Sequence, residues 1–516
     1  MLGFIFQDLM GSSMVSNFLI YLLLSTVTVY CLGVLWKRRR LYRESMKLSG
    51  PLALPFIGSA LHFMGNPYDI FGEITNMFAQ YPPIFRVWFA NRMFYAVSDA
   101  KYFELLLTSP HALKKENLYS MASPILGQGL FTALSVPHWR KHRKLIIPTF
   151  NQKILDGFVE VFVQQSEILV RVLEKSVGKG EIDVLKIMSA CTLDIITGIF
   201  LETAMGVQLN AQTTDCKIAE LLDRLLEIIM TRIFNIIYHS EFIFKHSQMG
   251  RDFYAFTKEI RSLAHKILHK KRTIRAMKSP DELEYDPAFR KRQAFLDLLM
   301  DINEEGGLKF TDEELMDETM TIMTAGTDTS ASTDCFVLTM MGLHQNIQNE
   351  VLNEILEVVG PTESINLTHL PQLKLLERVI KETLRLFPVG GFFVRTAEQD
   401  IDLGICTILK GCSIVFGVLN LHRNEKYYPD PYKFDPDRFL PEEIAKRPPG
   451  AFVPFSYGPR NCIGMKYAIM AMKTVLANVL RKYRVFTSYQ SVEAIELKTN
   501  LVLRPRHGYK VSFELR

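Results

Sequence analysis

The densest chemistry in this 516-residue chain sits in one decapeptide near the C-terminal end, Phe455-Ser456-Tyr457-Gly458-Pro459-Arg460-Asn461-Cys462-Ile463-Gly464. A helical pattern begins just after the cysteine. A helix N-terminus lowers a thiol's pKa and favours the thiolate, the form that binds metals. Backbone N–H groups around the sulfur would tune its donor strength. Gly458 and Gly464 let backbone approach a flat ligand, and Arg460 suits an anionic group on it. A lone cysteine without such a setting is more often a buried, inert thiol.

Three other groups carry residue types that chemistry uses. Ala325-Gly326-Thr327-Asp328-Thr329-Ser330 lies in the middle of a long helical pattern. Its glycine weakens the helix by about 1 kcal/mol relative to alanine, and a threonine hydroxyl bonding its own i−4 carbonyl bends it. The bland alternative there is a small-residue helix crossing. Glu382 and Arg385 stand three apart on one helix face, and as an ordinary surface pair they would contribute a few tenths of a kcal/mol. Cys406 and Cys412, with only His422 nearby, fit no zinc spacing.

The elements that must position these groups are mostly helices. Helical periodicity covers Leu155–Leu173, Val184–Leu201, Ile218–Tyr238 and Asp252–Lys271. Thr311 and Glu314 spell a capping box that opens a helix reaching about Met341. Pro371–Phe387 reads as a helix stopped by Pro388, and a last helix runs from Cys462 toward Leu480. Pro83–Val97 reads as two strands around a turn at Ala90-Asn91-Arg92, and Cys412–Val418 as another strand. The polar stretch Lys270–Arg292 reads as an exposed loop. The fold class expected is mainly α with minor β.

Composition sets the class. Hydrophobic residues make up 48% and aromatic residues 11%, which excludes a disordered chain. Sixty Lys and Arg face 55 Asp and Glu, a net charge of +5 that gives no case for nucleic acid. Seven scattered cysteines form no disulfide framework. Val15–Trp36 carries no charge, long enough to span a bilayer. Lys37-Arg38-Arg39-Arg40 follows at once, which places the body on the cytoplasmic side. The run is too long, and flanked by charge on the wrong side, for a cleaved signal peptide. The organisation expected is a lumenal N-terminus over 1–14, an anchor over 15–36, a basic and proline-rich connector over 37–58 that is stiff and non-helical from Gly50 to Gly58, and one catalytic domain over 59–516.

The pattern FxxGxRxCxG, from Phe455 to Gly464, resembles that of the cytochrome P-450 superfamily at every fixed position. Three further elements stand in the expected order: WxxxR at Trp139 and Arg143, the oxygen-activating [A/G]GxDT[T/S] element at Ala325–Ser330, and ExxR at Glu382 and Arg385, followed by Pro436-Asp437-Arg438-Phe439. The resemblance covers about Pro51 to Arg516. Ile125–Leu155 and the tail Leu503–Arg516 look most like the microsomal family-four enzymes, with an insect-like flavour. Several of those carry Glu, esterified to the haem, where this chain has Ala325; Thr327 replaces the commoner His.

The resemblance implies a cytochrome P-450 fold behind one transmembrane helix and a haem b held without an ester link. Cys462 would be the axial iron ligand. Phe455, Gly326, Trp139, Arg143, Arg395 and Arg460 would bind the cofactor. Thr329 would be the alcohol of oxygen activation and Asp328 a proton-delivery acid. Glu382, Arg385 and Arg438 would form a structural triad behind the haem. Electrons would come from NADPH through NADPH–cytochrome P-450 reductase, with cytochrome b5 as a second donor. Arg140, Lys141, Arg143, Lys144, Lys466 and Lys473 would form the docking face. The site would be the endoplasmic reticulum membrane, and the substrate a fatty acid, hydrocarbon, similar lipid or xenobiotic. Tyr119–Ile125, Ile322, Met323, Ala325 and Phe392–Val394 would line its pocket. The rival readings are a haem-thiolate isomerase or dehydratase, which would tend to lack the Asp328–Thr329 pair, and a haem-free membrane-tethered lipid-binding protein.

Overall fold

Thr311 and Glu314 cap one another. The Thr311 hydroxyl accepts from the Glu314 N–H at 3.2 Å, and the Glu314 carboxylate accepts from the Thr311 N–H at 2.7 Å. Acidic residues fill the first turn, as the helix dipole favours. The helix they start, Asp312–Leu343, is buried along almost its whole length and on every side, as befits a helix that other elements surround. In the computed structural model, residues 2–54, 57–63, 65, 67–89, 92–201, 206–209, 216–277, 296, 297, 299, 300 and 310–516 are described.

In chain order the longer helices are α1 (Leu2–Met46), α2 (Pro67–Gln80), α3 (Ala100–Thr108), α4 (Val136–Ile146), α5 (Val159–Glu174), α6 (Leu185–Leu201), α7 (Cys216–Phe234), α8 (Gln248–Met277), α9 (Asp312–Leu343), α10 (Gln345–Val358), α11 (Lys374–Leu386) and α12 (Met465–Lys482). The strands used below are β1 (Ile84–Phe89), β2 (Arg92–Val97), β3 (Lys114–Lys115), β4 (Ile182–Asp183), β5 (Phe392–Thr396), β6 (Ser413–Gly417), β7 (Tyr483–Phe486), β8 (Leu497–Asn500), β9 (Val502–Pro505) and β10 (Lys510–Leu515). Central α9 packs on α6, and α5 packs on both α6 and α12; their apolar faces form one continuous core. A mixed sheet in the order β1-β2-β6-β5-β3 lies to one side, with β2 and β6 parallel and the other pairs antiparallel.

The architecture is mainly α with minor β, as expected. Helix ends moved by a few residues, and two differences have physical reasons. The pattern from Leu155 to Leu173 is two helices, Gln152–Gly157 and α5, because the chain tightens at Gly157-Phe158. The basic part of the connector is helical: α1 continues through Lys37–Arg40 to Met46. Lys and Arg are good helix formers, and Glu44 near its end accepts from the Thr407 N–H at 3.1 Å, tying it to the body. Within α1, Asn17–Met46 is long and apolar enough to cross a membrane, and its most apolar window is wholly unburied. The turn residues 90 and 91 and most of the polar loop, 278–292, lie outside the described residues, while the first residues of that loop, Lys270–Met277, are the end of α8.

Candidate active site

The cysteine loop is closed by its own backbone. The Cys462 N–H donates to the Phe455 carbonyl at 2.8 Å. Arg143 on α4 donates to the Asn461 carbonyl at 2.8 Å and to the Asn461 side chain at 2.6 Å, so α4 grips the residue before the cysteine. Two residues of the loop have left-handed backbones, Ser456 (φ 62°) and Gly458 (φ 70°). A Cβ on Gly458 would come within 2.1 Å of the Leu107 carbonyl oxygen on α3. Gly458 therefore serves the seating of the loop on α3, where approach to a flat ligand was expected. Gly458→Ala adds a strained αL residue, costing of order 1–3 kcal/mol, and the clash adds to it. The expected result is a lower urea midpoint at unchanged slope, and an unchanged midpoint would contradict the role.

Cys462 combines depth with open surface. Its thiol lies far inside the chain, where burial raises its pKa against the Gly464 N–H and Arg143. The sequence reading expected the helix end to lower it; desolvation prevails. The side chain nevertheless keeps exposed surface. The two observations agree if the residue lines an internal space. Ala325 and Thr329 are likewise exposed in the middle of α9, between the buried stretches Leu315–Thr324 and Ser330–Gly342. Four apart, they share one helix face.

Beside the loop is a cluster of buried cations. Arg460, Arg395 and Lys115 are all buried, and among the described residues no carboxylate pairs with any of them. Arg460 lies over the Trp139 ring at 4.3 Å and donates to the Ala133 carbonyl, yet its Nε and Nη1 are buried without a partner. Burial, then Arg395, pulls its pKa down to about 9. Lys115 stands opposite Arg395 in the β3–β5 pair and sits over the rings of Tyr119 and Phe131. Burial and then the two arginines push its pKa well down. Uncompensated buried charge is costly, so the cluster calls for an anion. Lys115 was not singled out in the sequence, where nothing marks it apart from other lysines.

In α9 the Thr329 hydroxyl donates to the Ala325 carbonyl at 2.6 Å, and the Thr327 hydroxyl donates to Met323 at 2.8 Å. Gly326, expected at the cofactor, instead faces α6: a Cβ there would meet Ile196 Cδ1 at 2.6 Å. Thr192 of α6 donates to the Thr327 carbonyl at 3.0 Å at the same crossing. Asp328 turns toward β9, where its Oδ1 pairs with Arg504 at 2.6 Å while its Oδ2 is buried without a partner. Burial raises its pKa, opposed by Arg504. Arg504 also pairs with Asp223 of α7, which is half-exposed. A charged chain thus leads from the interior to the surface.

Glu382 and Arg385 are fully buried and joined by two hydrogen bonds of 2.7 and 2.8 Å. Arg385 also donates to the carbonyls of His422, Pro431 and Lys433. Arg438 approaches Glu382 at 3.6 Å and donates to the carbonyls of Pro429 and Asp430. Of the basic residues expected to form a docking face, Arg140, Lys144 and Lys466 are exposed. Lys141 leans on Glu314 at 3.5 Å. Arg143 is committed to Asn461, and Lys473 is buried against Glu377 at 3.0 Å; neither is free to meet a partner.

An apolar cavity of about 240 Å³ opens between α2, the mixed sheet and the end of α7. Of the residues expected to line the pocket, Phe392 and Val394 line this cavity, with Phe78, Phe94 and Ile236, whereas Tyr119–Ile125, Ala325 and Phe393 do not. Ile322 and Met323, also expected there, are core residues of α9. Ile236 belongs to the cavity wall and to the outer surface, where Ile237, Phe242, Ile243 and Leu61 are exposed too.

The whole body matches a known family. The cytochrome P450 family model covers residues 48–513. The chain is similar to cytochrome P450 4c21 of Blattella germanica, 34% identical over 498 residues that span 95% of this chain and 98% of the relative. It is 34% identical to cytochrome P450 4V2 of Mus musculus, over 90% of this chain and 89% of that one. Cytochrome P450 4c3 of Drosophila melanogaster is 31% identical over 94% of each. With the helical architecture, the closed cysteine loop and these matches together, the chain belongs to the cytochrome P450 family of haem monooxygenases.

Proposed function

We propose that the chain hydroxylates a lipophilic substrate, drawing electrons from NADPH through NADPH–cytochrome P-450 reductase, on a non-covalent haem b held by Cys462. The observation that carries this reading is the pairing of an accessible deep cysteine with a cation cluster to which no carboxylate is paired among the described residues, with two Arg460 nitrogens left without a partner. A haem fits that donor set: its iron takes a thiolate, and its two propionates would neutralise Arg460, Arg395 and Lys115, satisfying the orphaned arginine nitrogens. Trp139 would support this region through Arg460, Phe455 through the backbone of the loop. Bound there, the haem supplies the electron-transfer and dioxygen chemistry.

The chain's own residues do the rest. The grip of Arg143 on Asn461 fixes where the sulfur points. Thr329 gives its proton to Ala325 and so presents hydroxyl lone pairs to the open face of α9, where they can hold a water or accept a proton. Asp328, raised in pKa by burial, is a proton carrier whose path outward runs by Arg504 and Asp223. Both acid and alcohol are present, which favours oxygen insertion over isomerase or dehydratase chemistry. The apolar cavity excludes water and suits a fatty acid, hydrocarbon or similar lipid. Its wall meets the exposed apolar rim, so such a substrate could enter directly from a bilayer. The exposed Arg140, Lys144 and Lys466 are the cations left for an acidic reductase face or for cytochrome b5. The apolar helix would anchor the chain in the endoplasmic reticulum membrane with residues 1–14 lumenal and the body, 59–516, cytosolic.

The test is turnover of the full chain in phospholipid vesicles with reductase and NADPH, offered saturated and unsaturated lipids of graded length. Mass spectrometry should find products with one added oxygen that vanish when reductase is omitted. Normal reduction of the haem with no oxygenated lipid at any length would overturn the substrate class.

A further inference from the structure

Trp139–Arg143 was read for its tryptophan and its basic residues, but its histidine and the one before it face acidic residues of α9. His138 and His142 are four apart on α4, with ring centroids 3.9 Å apart. Glu314 of α9 reaches between them: its Oε1 is 3.1 Å from His142 Nε2 and 3.9 Å from His138 Nδ1. One ligand atom from each residue lies within 4.8 Å of the other two.

The outer nitrogens of both rings are already engaged. His138 Nε2 is 3.0 Å from the Gln128 carbonyl, which can only accept, so that nitrogen carries the proton and Nδ1 is a lone pair. His142 Nδ1 is 2.7 Å from the carboxylate of fully buried Glu318, which also accepts from the Leu130 N–H at 3.1 Å. With Nδ1–H given to Glu318, the inner nitrogen Nε2 is the one left for Glu314. Each imidazole therefore donates outward to an oxygen and turns its other nitrogen toward one carboxylate oxygen. Histidines that bind metals are oriented in this way. Glu314 is ionised: burial would raise its pKa, but hydrogen bonds from Thr311 and His142 hold it down to about 2.

We propose that His138 Nδ1, His142 Nε2 and Glu314 Oε1 form a site for a divalent transition metal of the zinc class, separate from the haem centre. Two imidazoles and a carboxylate match zinc and exclude magnesium and calcium, which prefer all-oxygen sets. Zinc–ligand bonds of about 2.0–2.1 Å put tetrahedral ligands about 3.3 Å apart, so His142 and Glu314 already stand close enough and His138 must move inward. The site is open to solvent on one side, through His138 and Glu314, which leaves a fourth position for water. In the metal-free chain one proton between His142 and Glu314 takes the cation's place; zinc displaces it as it binds. Lys141, 3.5 Å from Glu314, would oppose the metal and must swing away, which its partial exposure permits. The bound metal would tie α4 to α9.

The holoenzyme should be equilibrated with zinc chloride and its zinc counted by atomic emission after gel filtration. One tightly held zinc per chain is expected, with affinity at least about tenfold weaker in His138→Ala and in Glu314→Gln. The apparent Tm of the parent should rise with zinc and that of His138→Ala should not. His138 is half-exposed and touches no part of the cysteine loop in the contacts above, so haem content serves as the folding control. His265 and His269 on α8 form an exposed pair at the same spacing and are the natural competitor. Zinc lost in His265→Ala but retained in His138→Ala would overturn the proposal, as would no retained zinc in the parent.

Discussion

Cys462→Ala is expected to abolish the far red-shifted Soret band of the reduced, CO-treated protein and to lower turnover by about a thousandfold or more, some 4 kcal/mol of barrier. Six of the seven cysteines are described as free thiols: Cys31 is half-exposed and Cys191, Cys335, Cys406 and Cys412 are buried. Burial raises the pKa of each of those four buried thiols. Cys462 alone among the six combines a deep position with open surface and a supporting arginine. The loop around it is held by the Phe455 carbonyl, by Arg143 and by the contact of Gly458 with α3, none of which uses the sulfur. The variant should therefore fold, with a urea midpoint near that of the parent apoprotein. A variant that kept the band would remove Cys462 from its assigned place.

Arg385→Ala is expected to have the largest effect on stability. It leaves Glu382, fully buried, without the partner that accounts for two of its hydrogen bonds. Three backbone carbonyls lose a donor as well. Breaking a buried pair from one side costs about 3–5 kcal/mol, against a total stability of about 5–15 kcal/mol. The yield of haem-loaded protein should collapse. Arg385→Lys should rescue little, because one ammonium cannot reach the carboxylate and three carbonyls at the guanidinium's angles. The double variant Glu382→Leu, Arg385→Met should recover part of the loss by removing both charges. A drop of less than about 1 kcal/mol in Arg385→Ala, measured by urea unfolding, would show that the pair does not hold this region.

What was legible in the sequence was local. The capping box at Thr311 and Glu314 joins residues three apart. The cysteine loop closes between residues seven apart, Phe455 and Cys462, and Glu382 meets Arg385 within one helical turn. The misreadings concern partners far along the chain. Lys466 and Lys473 are seven apart and share a helix face, yet Lys473 is sealed by Glu377 of another helix. Lys115 meets Arg395 only through strand register. Asp328 meets Arg504, 176 residues on. Gly326 looked like room for a ligand, and only the crossing of α6 reveals that Ile196 occupies the space. His138 and His142 advertise their spacing, but Glu314 joins them from 172 residues beyond His142. Periodicity shows which face a residue is on and is silent about what comes to cover it.

Ile236 is part of the cavity wall and also of the exposed apolar surface formed with Ile237, Phe242 and Ile243. If the proposed lipid substrate enters there, the opening would sample the composition of the lipid against it. Occupancy of the cavity would then follow the mole fraction of substrate in that two-dimensional phase, and bulk molarity would matter only through partitioning. Adding inert phospholipid at fixed total substrate would dilute the enzyme's supply as surely as adding buffer dilutes a soluble one. Half-saturation would accordingly be a property of the membrane as much as of the protein.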